Sequence, residues 1–254
     1  MKEYGAKIKQ VACGAHHTVM LTTDGEVLAC GMGEYGRLGV GSSEDCKLPT
    51  SVTHIIDEDI VQVAASHNHS ACLTSDGRLL TWGKNDVGQL GHPDTYMDVL
   101  YSQETLPRVV ETLPPIAQFS LTRARTAAVT TEGQLYIWGA QFQHIPTLIE
   151  PKYFDDMKVT KVLCAGGSNG VATLVITEDG SLWSFGDLSS WVLGIKLSEM
   201  QKSGIGKMPT PAKIPLFANS SNNSASASIG SKLGKVIDVY GGLGRFVFAK
   251  VEVL

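Results

Sequence analysis

Short stretches in which apolar residues alternate with small or polar ones recur along the chain, each followed by an acidic residue, a glycine and a second short apolar stretch. Residues 11–31 read VACGAHHTVMLTTDGEVLACG and residues 63–83 read VAASHNHSACLTSDGRLLTWG, at an offset of 52 with no gap. Residues 119–139 (FSLTRARTAAVTTEGQLYIWG) lie 56 further on, and residues 173–186 (TLVITEDGSLWSFG) end 47 beyond that. A partial fifth copy spans residues 239–249. The period-two alternation predicts half-buried strands. Asp24-Gly25, Asp76-Gly77, Glu132-Gly133 and Asp179-Gly180 predict hairpin turns, because glycine accepts positive φ and aspartate bonds its own backbone. Each return strand ends on a large or apolar residue and then Gly31, Gly83, Gly139 or Gly186, where the backbone turns or approaches a neighbour.

A proline-containing segment closes each copy: Pro49, Pro107, Pro146 and Pro209. Proline cannot donate to an interior ladder, so these segments are expected at sheet edges. A three- or four-stranded sheet of this kind cannot bury both faces alone, so the copies must stack, and radial stacking gives a propeller. The chain is therefore read as all-β, a propeller-like array of about four and a half repeats in a single repeat domain. Repeats are expected at about 8–60, 61–116, 117–157 and 158–218, with a partial one at 234–254. Residues 8–22 correspond to 236–250, so both ends carry the same half of a repeat and neither completes the other. An open or incomplete ring is expected, with free edges that self-associate or take a partner strand; a small ring closed by distortion of the third and fourth copies is the alternative. Residues 219–231, NSSNNSASASIGS, are polar and of low complexity and are read as a flexible loop.

Composition narrows the function classes. With 254 residues and 43% hydrophobic content, the chain can bury a sizeable core. Its 21 basic and 25 acidic residues give a formal charge of −4, which supplies no basic field toward nucleic acid or an anionic membrane. No window holds the roughly 18 apolar residues of a membrane-spanning helix. Five cysteines at irregular spacing, with no secretory-type apolar run before them, point to an intracellular, cytoplasmic or nuclear protein.

Candidate chemistry is sparse. Cys13, His16 and His17 form half of a zinc-like string, but the aligned second copy has Ala65, Asn68 and His69, so the cluster does not repeat and neither metal nor cofactor is expected. His17, His69, Arg125 and Arg245 share one repeat position, read as a structural polar contact near the strand entrance. Marks of hydrolytic or phosphoryl chemistry are missing, and no catalytic residue is assigned. Trp82 and Trp138 fall at the strand-end core position, whereas Trp191 lies in a loop, either packed or exposed as a binding hot spot.

The segments after the return strands carry a resemblance. Gly83-Lys84-Asn85-Asp86-Val87-Gly88-Gln89-Leu90-Gly91, following Leu73-Thr74-Ser75-Asp76-Gly77, resembles the regulator of chromosome condensation repeat, and Gly31-Met32-Gly33-Glu34-Tyr35-Gly36-Arg37-Leu38-Gly39 is a looser version. The third copy has Gln141-Phe142-Gln143-His144 there and reaches its proline after seven residues, against 18 in the first; the fourth keeps Leu193-Gly194. The resemblance implies a propeller that binds another protein. One implied use is an interaction scaffold; the other is guanine-nucleotide exchange on a small GTPase of the Ran type, acting by contact. Worn loops and weaker repeats favour the scaffold. Recognition is expected on Glu34, Tyr35, Arg37, Asn85, Asp86, Gln89 and Trp191, although the loop residues of the first two copies also suit bracing of adjacent blades.

Overall fold

The structure is a computed structural model that describes residues 5, 7–55, 58–93, 103–139, 143–167, 170–186, 211–214, 234–241 and 247–253. Among the described residues, eighteen strands form four antiparallel sheets of four and one of two. The first sheet joins β1 (Ile8–Cys13), β2 (His17–Thr22), β3 (Val27–Gly31) and β4 (Cys46–Ser51). The second joins β5 (Ile60–Ala65), β6 (His69–Thr74), β7 (Leu79–Lys84) and β8 (Gln103–Val109). The third joins β9 (Ile116–Leu121), β10 (Arg125–Thr130), β11 (Leu135–Gly139) and β12 (Thr147–Ile149). The fourth joins β13 (Val159–Gly167), β14 (Gly170–Thr177), β15 (Leu182–Gly186) and β16 (Ala212–Lys213), and the last pairs β17 (Gly234–Gly241) with β18 (Val247–Val253). Residues Met1–Ile149 and Glu150–Leu254 are two compact units.

Each sheet runs in chain order, so strands that are neighbours in a sheet are consecutive in the sequence. The acidic-Gly turns join the second and third strands, with Gly25, Gly77, Gly133 and Gly180 all at φ between 81° and 88°. A threonine braces these turns: the hydroxyls of Thr22, Thr74 and Thr130 accept from the backbone N–H of Glu26, Arg78 and Gln134. Pro49 and Pro107 lie in the edge strands β4 and β8, and Pro146 directly precedes the edge strand β12, where a missing donor leaves no ladder bond unmade.

Within residues 1–149 the sheets stack as blades. Directly opposed residues share a face, so the second blade presents one row of Val63, Cys72, Leu80 and Val109 and a second of Ala65, Ser70 and Trp82. This receiving face packs on the covering face of the first blade, where Val19, Leu21, Val27 and Ala29 are joined by Leu38 from the loop. The third blade repeats the arrangement. Its Phe119, Ala128 and Trp138 pack on Ala71, Leu73 and Leu79 of the second blade. Trp82 and Trp138 are wholly buried, as their strand-end positions predict.

Both tryptophans also donate. Trp82 Nε1 reaches the carbonyl oxygen of Arg37 at 3.0 Å, and Trp138 Nε1 reaches that of Gln89 at 3.0 Å. Truncating Trp82 to alanine removes a large core side chain and an inter-blade bond, for an expected loss of about 3–5 kcal/mol. Trp82→Phe retains most of the packing and leaves the Arg37 carbonyl with one donor, so a loss of about 1–2 kcal/mol is expected. Urea midpoints should fall from wild type to Trp82→Phe to Trp82→Ala; a Trp82→Phe midpoint equal to that of wild type would show that the indole N–H contributes nothing.

Candidate protein-binding site

The segments 31–39 and 83–91 leave the third strand of one blade and lie against the next. Ser70 Oγ donates to the Arg37 carbonyl at 2.9 Å, beside the Trp82 bond to the same oxygen. Thr126 Oγ1 donates to the Gln89 carbonyl at 2.7 Å, beside that of Trp138. Each loop thus turns one backbone oxygen inward, where two side chains of the following blade satisfy it. The conformation depends on glycine. Gly91 has φ 81°, and a Cβ there would stand 2.8 Å from Trp138 Nε1; Gly39 meets Trp82 in the same way. Any larger residue would push the indole off its acceptor.

This geometry divides the loop residues expected to face a partner. Arg37, Asn85 and Gln89 are buried and are not available to one. The Arg37 side chain, 1% exposed, turns back on its own loop: Nε donates to the Glu34 carbonyl at 2.6 Å and its guanidinium meets the Glu34 carboxylate at 2.8 Å. Gln89 holds Asp86 in the equivalent way, Nε2 to Oδ1 at 3.0 Å, and Asn85 Oδ1 accepts from the Leu90 N–H at 2.9 Å. Their polarity serves the loop, because backbone groups enclosed between two blades must find partners inside the protein. Trp191 lies outside the described residues.

What remains outward is a compact set. Glu34 and Asp86 are exposed and Tyr35 is half-buried. Tyr35 sits at φ 65°, a left-handed conformation rare for a residue with a side chain. Its ring lies 4.7 Å from Lys84 Nζ and 5.5 Å from the Arg37 guanidinium carbon, both cation–π distances. Lys84 also meets Asp86 at 2.7 Å. Burial works against ionisation of Asp86, but the bonds from Lys84 and Gln89 outweigh it and hold the carboxyl below its usual range. Lys84 thus ties the two loops together. Its counterpart in the first copy is Met32, so the repeat gives no sign of this role.

Among the described residues, no group of three histidine, cysteine or acidic side chains is arranged to hold a metal ion, and all five cysteines are free thiols. No helix among those residues is long and apolar enough to cross a membrane.

The repeat is matched by the profiles of one family. Both are described as the regulator of chromosome condensation (RCC1) repeat, and they match residues 24–73 and 76–129, and 8–37 and 60–89. The chain belongs to the RCC1 repeat family. It is 33% identical over 202 residues to the ultraviolet-B receptor UVR8 of Arabidopsis thaliana, covering 75% of this chain and 44% of that protein. It is 32% identical over 214 residues to the mouse secretion-regulating guanine nucleotide exchange factor, covering 78% and 45%. The chain therefore spans under half the length of these two relatives. Among solved structures it is similar to human WBSCR16 (22% identity, TM-score 0.73, 96% of this chain and 57% of that one) and to Prp20p of Saccharomyces cerevisiae (19%, 0.71, 98% and 57%). These similarities show the fold: RCC1-type propeller blades.

In this RCC1-type chain the shared histidine position lies beneath the loops. His17 Nε2 is 2.8 Å from Ser70 Oγ, and His69 Nε2 is 3.5 Å from Thr126 Oγ1, so each histidine meets the hydroxyl that holds the loop carbonyl. Arg125 takes the same place in the third blade and is buried, while Arg245 falls outside the described residues. Burial, then the Arg37 guanidinium and the neighbouring His16 and His67, push His17 down to about 4. Burial, then His17, push His69 down to about 3 against the pull of Asp86. A depressed histidine is neutral when folded, whereas the unfolded chain takes up its proton near pH 6.5, so full stability is present above 6.5 and is lost as pH falls toward 4. At about 1.4 kcal/mol per tenfold, His17 alone accounts for roughly 3 kcal/mol across that window. Urea midpoints should fall steadily between pH 7 and pH 4.5, and His17→Asn should flatten the slope; a wild-type midpoint independent of pH would refute the assignment.

Proposed function

We propose that this chain is a protein-interaction scaffold whose docking patch is the outward set Glu34, Tyr35, Lys84 and Asp86. The observation that carries the reading is the Tyr35 ring, half-buried and within cation–π distance of two cations, on a loop whose backbone is anchored to the next blade. Tyrosine is enriched at binding hot spots because it brings contact area at little cost in conformational entropy. Loops held by a rigid sheet are the usual carriers of recognition. The partner is another protein, contacted without covalent chemistry, in the cytoplasm or the nucleus.

A second reading is guanine-nucleotide exchange on a small GTPase of the Ran type. It is favoured by the relative named a secretion-regulating guanine nucleotide exchange factor, and by Prp20p, whose structure is titled with its binding to Gsp1p and histones. The scaffold is preferred, because two of the four full copies have lost the Gly-framed loop.

Tyr35→Asn tests the patch with little disturbance of the frame, since asparagine accepts the left-handed conformation. Charge reversal at Glu34 would be a poorer probe, because it strands the buried Arg37. For partners captured by the purified chain and then measured singly, Tyr35→Asn should weaken binding about tenfold or more with the melting temperature unchanged. Unaltered affinity would remove Tyr35 from the interface. Release of fluorescent GDP from purified Ran separates the two readings: acceleration by the chain establishes exchange, and its absence alongside stable capture of other proteins supports the scaffold.

A further inference from the structure

Between the loop 31–39 and the edge strand β4 the chain passes through Ser42-Ser43-Glu44-Asp45. Among the described residues no backbone–backbone hydrogen bond involves these four; the last before them runs from the Gly41 N–H to the Thr105 carbonyl at 3.0 Å. Two side chains hold the segment instead. The Glu44 N–H donates to Ser42 Oγ at 3.3 Å, and Asp45 Oδ1 accepts from the Gly33 N–H at 2.9 Å. Local opening costs least where backbone bonds are fewest, so this stretch can leave the surface while β3 and β4 stay paired. Ser43, Glu44 and Asp45 are exposed and Ser42 is half-buried, and Ser43 Oγ has no hydrogen-bond partner among the described residues. The segment also touches the docking patch. A Cβ on Gly33 would run into the Glu44 carbonyl and stand 2.9 Å from the Ser43 carbonyl carbon. The two limbs of the loop therefore meet backbone to backbone, immediately before Glu34 and Tyr35.

We infer that Ser42 and Ser43 are a phosphoacceptor pair for a serine kinase that reads acidic residues after its target, and that the phosphate switches the patch off. The second half of this inference rests on the scaffold reading above. Carboxylates stand two and three residues after Ser42 and one and two after Ser43, which gives a basic kinase cleft an anionic handle beside either hydroxyl. In the transfer the serine oxygen attacks the γ-phosphorus of ATP, the bond from that phosphorus to the β–γ bridging oxygen breaks, ADP leaves and the hydroxyl proton passes to the kinase's base. A phosphoserine carries about −1.5 to −2 charge at pH 7. Here that charge arrives beside two carboxylates, neither of which is in an ion pair among the described residues. An exposed pair with Lys47, the nearest cation in sequence, contributes little against the repulsion. Asp45 is driven off the Gly33 N–H, and the loop loses the side-chain anchor that fixes its entry to Glu34 and Tyr35.

The test uses the complete chain, ATP and a purified acid-directed kinase, casein kinase 2, with peptide mass spectrometry to place the phosphate and hydrogen exchange to read the loop. The folded chain should take up phosphate at 42–43, and the double variant Ser42→Ala, Ser43→Ala should take up none there. In the phosphorylated chain the amide of Gly33 should exchange about tenfold faster or more, while the amides of β2 and β3 keep their rates. Asp45→Ala breaks the same bond without a phosphate and should give the same acceleration. Partners that Tyr35→Asn weakens should be weakened to a similar extent by the phosphate. Phosphate that enters only the denatured chain, or only other positions, overturns the site. Phosphate at 42–43 with the Gly33 amide unmoved, or with those partners bound as tightly as before, overturns control of the patch. Tyr35→Asn judges the scaffold reading by itself, so each of these failures leaves that reading where Tyr35→Asn puts it.

Discussion

The stack of blades in residues 1–149 depends on a backbone carbonyl buried between two sheets. The Arg37 and Gln89 oxygens each accept from a hydroxyl and an indole of the following blade. An unsatisfied carbonyl in that position would cost about 1–3 kcal/mol, so the loop and the next blade must be made for one another. That requirement ties together residues far apart in sequence. The small hydroxyl at Ser70 or Thr126, the tryptophan at the end of the third strand and the glycine closing the loop serve one contact. Leu38 and Leu90, next to the carbonyls, are wholly buried.

The same contact decides which loop residues can meet a partner. A loop whose middle is turned inward has few outward positions, and its buried polar side chains are spent on its own backbone. Arg37 and Gln89 each reach back three residues to an acidic side chain, Glu34 or Asp86, that itself faces water. The acidic residue thus has two roles: it closes the loop from within and presents charge without. Tyr35, beside it, is held by Lys84 of the next blade. The patch is therefore shared between blades, and its shape follows from their packing.

Much of this was legible in the sequence. The acidic-Gly turns, the edge prolines and the strand-end tryptophans are local signals, and each is a direct consequence of backbone chemistry. The column Thr18, Ser70, Thr126 and Thr173 was also there to be seen, a hydroxyl in every full copy. Its role was not, because its acceptor lies 33 or 37 residues earlier in the chain. For the same reason Arg37, Asn85 and Gln89 read as recognition residues. Polar side chains on a glycine-rich loop look solvated until the next blade is laid over them. Lys84 carried no repeat signal, since only its position beside Tyr35 gives it a task.

The fourth sheet shows what happens when the indole is replaced. Phe185 pairs with Thr173 in the register that Trp82 and Trp138 occupy, and phenylalanine has no N–H to satisfy. Its ring packs at 6.5 Å from that of Phe154, which meets Trp183 edge-on at 5.7 Å. Trp183 sends its own N–H to Thr177, the threonine of the hairpin turn, at 3.3 Å. Aromatic packing of this kind needs shape but no acceptor, so it places no demand on a loop. A tryptophan at position 185 would instead need a carbonyl held at the right distance, and without one its buried N–H would cost about 1–3 kcal/mol. Phenylalanine at position 185 lifts that demand, since its ring packs without an acceptor.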